Sequence, residues 1–252
     1  MSEWAILIVG SIAAGWVDAM IGGGGLILIP LIMAVFPAMA PAAVVATNKV
    51  AAVTGTASAA WTYVRKVPIP RKLALTYIPL AALCSGGGAL VASLIAKEVM
   101  RPLVIVLMLV VGTIVALRPS FGQAKSEENP VMWRRVVTLF GVAAIAFYDG
   151  IFGPGTGMFL IMVFTGILSQ DFLASTALTK VVNTATNLGA LVVFALGGHI
   201  WWELGLTLAV ANVIGAQLGA RTVLGGGTRL IRILLLVMVV VMSSYLAWQQ
   251  WG

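Results

Sequence analysis

Two lysines, two aspartates and two glycine clusters are the residues here with chemistry to offer, because each interrupts an apolar segment. Lys49 and Lys180 each fall about eight residues inside such a segment, or about 12 Å of helix rise. A lysine at the centre of a membrane helix costs about 2.5–3.5 kcal/mol. Snorkelling relieves part of that cost, and a structural ion pair with Asp18 or Asp149 is a second way to relieve it. The functional use is to attract an anion, since ionisable groups at membrane depth usually mark a site.

The glycines point the same way. Gly22-Gly23-Gly24-Gly25 and Gly153-Pro154-Gly155-Thr156-Gly157 break the apolar runs 4–36 and 133–167 near their middles. Successive glycines permit a sharp turn and let a ligand approach the peptide groups. Helices restarting near Gly25 and Gly157 would aim their N-termini inward, where orphan N–H donors and about half a positive charge favour anions. Tight packing or a simple kink is the alternative use of these glycines. A nucleotide phosphate loop is not indicated, because neither break ends in Lys-Ser/Thr.

Thr176, Asn183, Thr184 and Asn187 stand at −4, +3, +4 and +7 from Lys180 and form a polar stripe on its helix face. The face around Lys49 is poorer, with Ala52, Val53 and Thr56, while Thr47 and Asn48 lie to the side. Asparagine and threonine also tie membrane helices together, and part of the stripe has that use open to it. The candidate substrate contacts are therefore Gly22, Gly23, Gly24, Gly25, Asn48, Lys49, Gly153, Gly155, Thr156, Gly157, Thr176, Lys180, Asn183 and Asn187. Two lysines and two aspartates cancel, so protonating one aspartate would free its lysine and make the site positive. Asp18 and Asp149 are thus coupling candidates. Asp149 is the better one, since it precedes the break in the half with the fuller stripe. Cys84 and His199 are each alone, so neither a metal cluster nor a nucleophile–His–carboxylate set is expected. No cofactor or enzymatic activity is expected either.

The elements that must hold these residues are membrane helices. Apolar residues make up 61% of the chain and charged ones 9%, against about 45–50% and about 25% in soluble domains. The net charge of +7 sits in short clusters between apolar runs, where it signals topology beside anionic lipid rather than nucleic-acid binding. No basic residue precedes the first run, which makes it a poor signal peptide. Further runs at 41–64, 73–96, 102–117, 172–196, 204–224 and 230–248 have the length of one crossing.

The chain repeats. A shift of 131 positions carries Asp18 onto Asp149, Gly22 onto Gly153, Lys49 onto Lys180, Gly88-Ala89 onto Gly219-Ala220 and Arg101 onto Arg232. This predicts a first membrane repeat over 1–120, a connecting loop over 121–132 and a second repeat over 133–252. If each broken run enters and leaves on one side, each half has three full spans and the halves are inverted. Loops 65–72, 118–135 and 221–232 then lie inside, eleven basic residues against two outside. Eight single crossings would give eight against five. The positive-inside rule favours inversion and puts both termini outside. Trp4, Trp201, Trp202, Trp248 and Trp251 would then share the outer interface. The expected fold is an all-α integral membrane protein of two inverted repeats, each with three transmembrane helices and one broken, re-entrant pair. Gly86-Gly87-Gly88 and Gly215-x-x-x-Gly219 read as helix-packing faces.

Gly15-Trp16-Val17-Asp18 before Gly22–Gly25, Thr47-Asn48-Lys49, Tyr148-Asp149-Gly150 before Gly153–Gly157, and Thr179-Lys180-Val181-Val182-Asn183 together resemble the sulfite exporter TauE/SafE family of membrane permeases. The resemblance covers nearly the whole chain. It implies a transporter in the cytoplasmic membrane that moves sulfite, sulfoacetate or a related organosulfur or carboxylate anion. The expected partners are that small anion and the lipid bilayer. A membrane-embedded accessory protein that moves nothing is the alternative. The particular anion, its direction, the coupling ion and the oligomeric state have no recognisable motif.

Overall fold

A computed structural model of the chain describes residues 3–96, 98–100, 102–107, 110, 131–225 and 244, and no strand occurs among them. The helices are α1 (Glu3–Ile21), α2 (Gly25–Val35), α3 (Pro41–Val64), α4 (Arg71–Leu94), α5 (Met132–Ile151), α6 (Thr156–Gly166), α7 (Phe172–Leu196) and α8 (Trp202–Leu224). Most of the 102–117 and 230–248 runs and of the 121–132 loop lies outside the described residues, as do Trp248 and Trp251.

Local sequence accounts for the boundaries. Pro41 opens α3, where its missing N–H costs nothing. Asp171 caps α7, its carboxylate accepting from the Ala174 amide at 2.9 Å. The breaks after α1 and α5 pass through Gly22 (φ 80°) and through Gly153 and Gly155 (φ 89° and 79°), a backbone region where a Cβ is costly. Among the described residues four helices, α1, α4, α7 and α8, are long and apolar enough to cross a membrane. At 11 residues each, α2 and α6 fall short of a crossing. With 24 residues α3 is as long as α4, but its buried face carries Thr47, Asn48, Lys49 and Thr56.

The short helices fold back on their predecessors. Gly10 of α1 faces Leu31 of α2, and Gly24 lies against Asp18 and Ala14. Likewise Gly141 of α5 faces Val163 of α6, and the Tyr148 hydroxyl donates to the Pro154 carbonyl at 2.7 Å, clamping the turn. The two turns meet: a Cβ on Gly22 would stand 2.3 Å from the Gly157 carbonyl carbon.

Around these hairpins the two sequence halves interlock. Between α1 and α3 lies α8. Ser11 donates to the Leu208 carbonyl at 2.7 Å, the Asn212 amide to the Ser11 carbonyl at 3.2 Å, and Thr62 pairs with Gln217 at 3.1 Å. Between α5 and α7 lies α4, with Gly150 pressed on the Ser85 carbonyl and Gly189 on the Ala82 carbonyl. The expected packing glycines do that work, Gly88 resting on the Phe147 carbonyl, Gly215 on that of Ile12 and Gly219 on that of Trp16. Outward, large apolar side chains such as Leu83, Leu94, Phe140 and Leu196 are exposed, a surface suited to lipid. Trp4 and Phe36 both pack on Trp201, at 6.1 and 5.1 Å between ring centres, so the start of α1, the end of α2 and the start of α8 share one end.

Candidate functional site

Both lysines are buried and both are paired across the halves. Lys49, on α3, donates to Asp149 Oδ2 at 2.7 Å and to Asn187 Oδ1 at 3.0 Å. Lys180, on α7, donates to Asp18 Oδ2 at 3.0 Å and also to the Asp18 main-chain carbonyl. Each pair therefore joins the lysine helix of one sequence half to the broken helix of the other. The shift that carries Asp18 to Asp149 and Lys49 to Lys180 exchanges one pair for the other.

The carboxylates are also tied to the breaks. Asp18 Oδ1 accepts from the Gly24 amide, at the start of α2, at 3.1 Å. Asp149 Oδ1 lies 2.7 Å from the Thr156 hydroxyl, which opens α6 and is 2.9 Å from the Gly153 carbonyl oxygen. The N-terminal ends of both short helices thus face a negative charge, as their dipoles favour. That charge belongs to the protein itself. A second anion has to compete with a carboxylate for the same donors.

The α7 stripe divides its work in a way its spacing from Lys180 does not convey. Asn187 serves Lys49 rather than Lys180. Asn183 supports Asn187, its carbonyl accepting from the Asn187 side-chain amide at 2.8 Å, and Thr186 bonds the Asn183 Oδ1 at 3.0 Å. Thr176 and Thr184 donate to carbonyls one turn back, those of Phe172 and Lys180, both at 2.7 Å. Asn48 is buried beside Lys49, with no hydrogen bond to either ion pair among the described residues. Gly22, Gly23, Gly24, Gly155 and Gly157 are buried where the turns meet, and Gly25 and Gly153 are half-buried. A Cβ on Gly153 would stand 3.2 Å from Lys49 Nζ, so this glycine makes room for the ammonium.

Sequence reasoning missed two supporting residues. The Tyr148 clamp is foreshadowed only by its place next to Asp149. Tyr63, whose hydroxyl donates to the Ala19 carbonyl at 2.9 Å, steadies the end of α1 beside Asp18. Nothing marks it in the sequence among the several hydroxyl residues of its apolar run. Among the described residues, no three His, Cys, Asp or Glu side chains stand where they could hold a metal ion.

Apolar helices of crossing length, around a core of broken helices and buried ion pairs, define a multi-pass membrane protein. The chain belongs to the sulfite exporter TauE/SafE family, a family of membrane transporters, whose model matches residues 7–246. It is similar to the probable membrane transporter protein YfcA of Escherichia coli strain K12, 32% identical over 247 residues, 98% of this chain and 90% of the relative. The probable membrane transporter protein ORF9 of a Sinorhizobium species is 32% identical over 95% of this chain and 90% of its own. A probable membrane transporter protein of Haemophilus influenzae is 31% identical over 98% and 95%. No solved structure matches the chain.

Proposed function

We propose that this protein carries a small anion across the cytoplasmic membrane, and that the anion is a sulfur oxyanion or organosulfonate such as sulfite or sulfoacetate. One observation carries the reading. Two broken helices meet turn to turn, and each turn is held by an aspartate of its own repeat that pairs with a buried lysine of the opposite repeat. Broken helices meeting in this way are the usual form of a transporter's substrate site. The sulfur chemistry rests on the family's name alone.

The same observations support inverted repeats. Helix α8 runs parallel to α3, with Thr47 at Trp201 and Thr62 at Gln217. Helix α4 returns from α3 through the short connection 65–70 and so opposes α8, its counterpart in the repeat. In this reading Lys49, Lys180, Asn187, Thr156 and the two turns face the anion when a pair opens, and a proton on an aspartate accompanies it. The saturated ion pairs also suit an accessory protein that moves nothing. Purified protein in proteoliposomes separates the two. Tested with sulfite, sulfate, thiosulfate, taurine, sulfoacetate and a plain carboxylate, a transporter gives protein-dependent flux of at least one. No flux of any of them removes the transport reading.

A further inference from the structure

The two ion pairs are exchanged by the repeat, yet their surroundings differ. In the Lys49–Asp149 pair the side chains are 1% and 2% exposed. Each carboxylate oxygen there has a side-chain partner, Lys49 on one and Thr156 on the other, and Asn187 holds the ammonium from the far side. In the Lys180–Asp18 pair Lys180 is fully covered, whereas the Asp18 side chain is 17% exposed. Among the described residues Asp18 has no hydroxyl partner, and the position equivalent to Thr156 is Gly25. It is held by the Gly24 amide and by Lys180, whose bond to the Asp18 main-chain carbonyl needs no carboxylate. Lys49 and Tyr63, both on α3, are also within electrostatic reach of Asp18, and Lys49 carries Asp149 with it.

We infer that Lys180–Asp18 is the pair that opens and exchanges a proton, and that Lys49–Asp149 is a fixed tie. A carboxyl group takes a proton only if water reaches it. Each carboxylate has two partners, one per oxygen, so access decides between them, with the Asp18 side chain 17% exposed and the Asp149 side chain 2%. Lys180 would stay anchored on the main chain as the carboxylate leaves, with its charge uncovered toward the exposed side. This rests on the transport reading for its purpose, and on the two burial patterns for its asymmetry. It moves the coupling role from Asp149, which the richer stripe of the second repeat favours, to Asp18.

The test is carbodiimide labelling of the full-length protein in detergent at mildly acidic pH, read by peptide mass spectrometry. Dicyclohexylcarbodiimide adds to protonated carboxyls in apolar surroundings, so Asp18 is modified and Asp149 is not. Labelling of Asp149 at a comparable rate, or of neither residue, overturns the inference. Thermal unfolding supplies a second arm. Asp149→Asn strands a buried ammonium and lowers Tm by about 10 °C, and adding Lys49→Met recovers at least half of that. Asp18→Asn lowers it by less, because water reaches the Asp18 side of its pair and Lys180 keeps the main-chain carbonyl of residue 18. Equal losses for the two asparagine variants also overturn the inference. Sulfite flux in proteoliposomes is measured alongside. A protein that labels only at Asp18 but moves no sulfite keeps the asymmetry and loses sulfite as its cargo.

Discussion

Lys180 and Thr156 have roles that single substitutions can separate from folding. Lys180→Met keeps the apolar stem and removes the charge, and the exposed edge of Asp18 lets that carboxyl take up a proton rather than stay buried and unpaired. Sulfite affinity should fall at least tenfold, about 1.4 kcal/mol, while folded yield changes little. Unchanged affinity with a collapsed yield would make Lys180 purely structural. Thr156→Val keeps the shape and deletes the hydroxyl 2.7 Å from Asp149 Oδ1. Leaving a buried acceptor short costs about 1–3 kcal/mol, visible as a lower Tm. An unaltered Tm means that the hydroxyl spends its proton on the Gly153 carbonyl instead. At this scale the sequence disclosed the four charged residues, since a lysine amid valines and alanines needs a reason. It did not disclose who pairs with whom. Lys180 and Asp18 are 162 positions apart, and either aspartate satisfied the charge balance equally well.

The helices interlock because small residues let their backbones touch, which gives a sharp contrast within one glycine run. A Cβ on Gly88 would stand 2.0 Å from the Phe147 carbonyl oxygen, while one on Gly87 would find only the Phe147 ring at 3.9 Å. Gly88→Ala must therefore push α4 off α5, an overpacking cost of about 1–3 kcal/mol. Gly87→Ala fits and gains helix propensity, about 0.5–1 kcal/mol. Thermal unfolding of the two variants in the same detergent should move in opposite directions. A similar loss for both would mean that the α4–α5 contact is looser than described. The helix breaks were legible beforehand, because no single helix spans a 33-residue run with four successive glycines at its middle. The interlocking was not. Period and hydropathy mark a helix's apolar face but not which helix covers it, and Gly88 and Gly87 look alike until Phe147 is beside one of them.

For the molecule as a whole, the orientation in the bilayer follows from charge and can be tested on described residues. Trp4, Phe36 and Trp201 cluster at one end, and aromatic rings of this kind favour the interface of either leaflet. The opposing connection between α3 and α4 carries Arg65, Lys66, Arg71 and Lys72, all exposed. Basic loops stay in the cytoplasm because moving them across is opposed by the membrane potential and by anionic inner lipid. The aromatic end should therefore face outward, and the Arg65–Lys72 end inward. The C-terminus and Lys125, the natural reporters, lie outside the described residues, but Ala38 and Lys66 serve as well. Both are exposed, Ala38 in the connection leaving α2 and Lys66 in the connection leaving α3. In a Cys84→Ala background, Ala38→Cys should react with a membrane-impermeant maleimide in intact cells. Lys66→Cys should react only after permeabilisation. Both residues labelling from outside would break the single-crossing assignment of α3. The reverse pattern would invert the molecule, leave Arg65, Lys66, Arg71 and Lys72 outside, and require something other than loop charge to orient it.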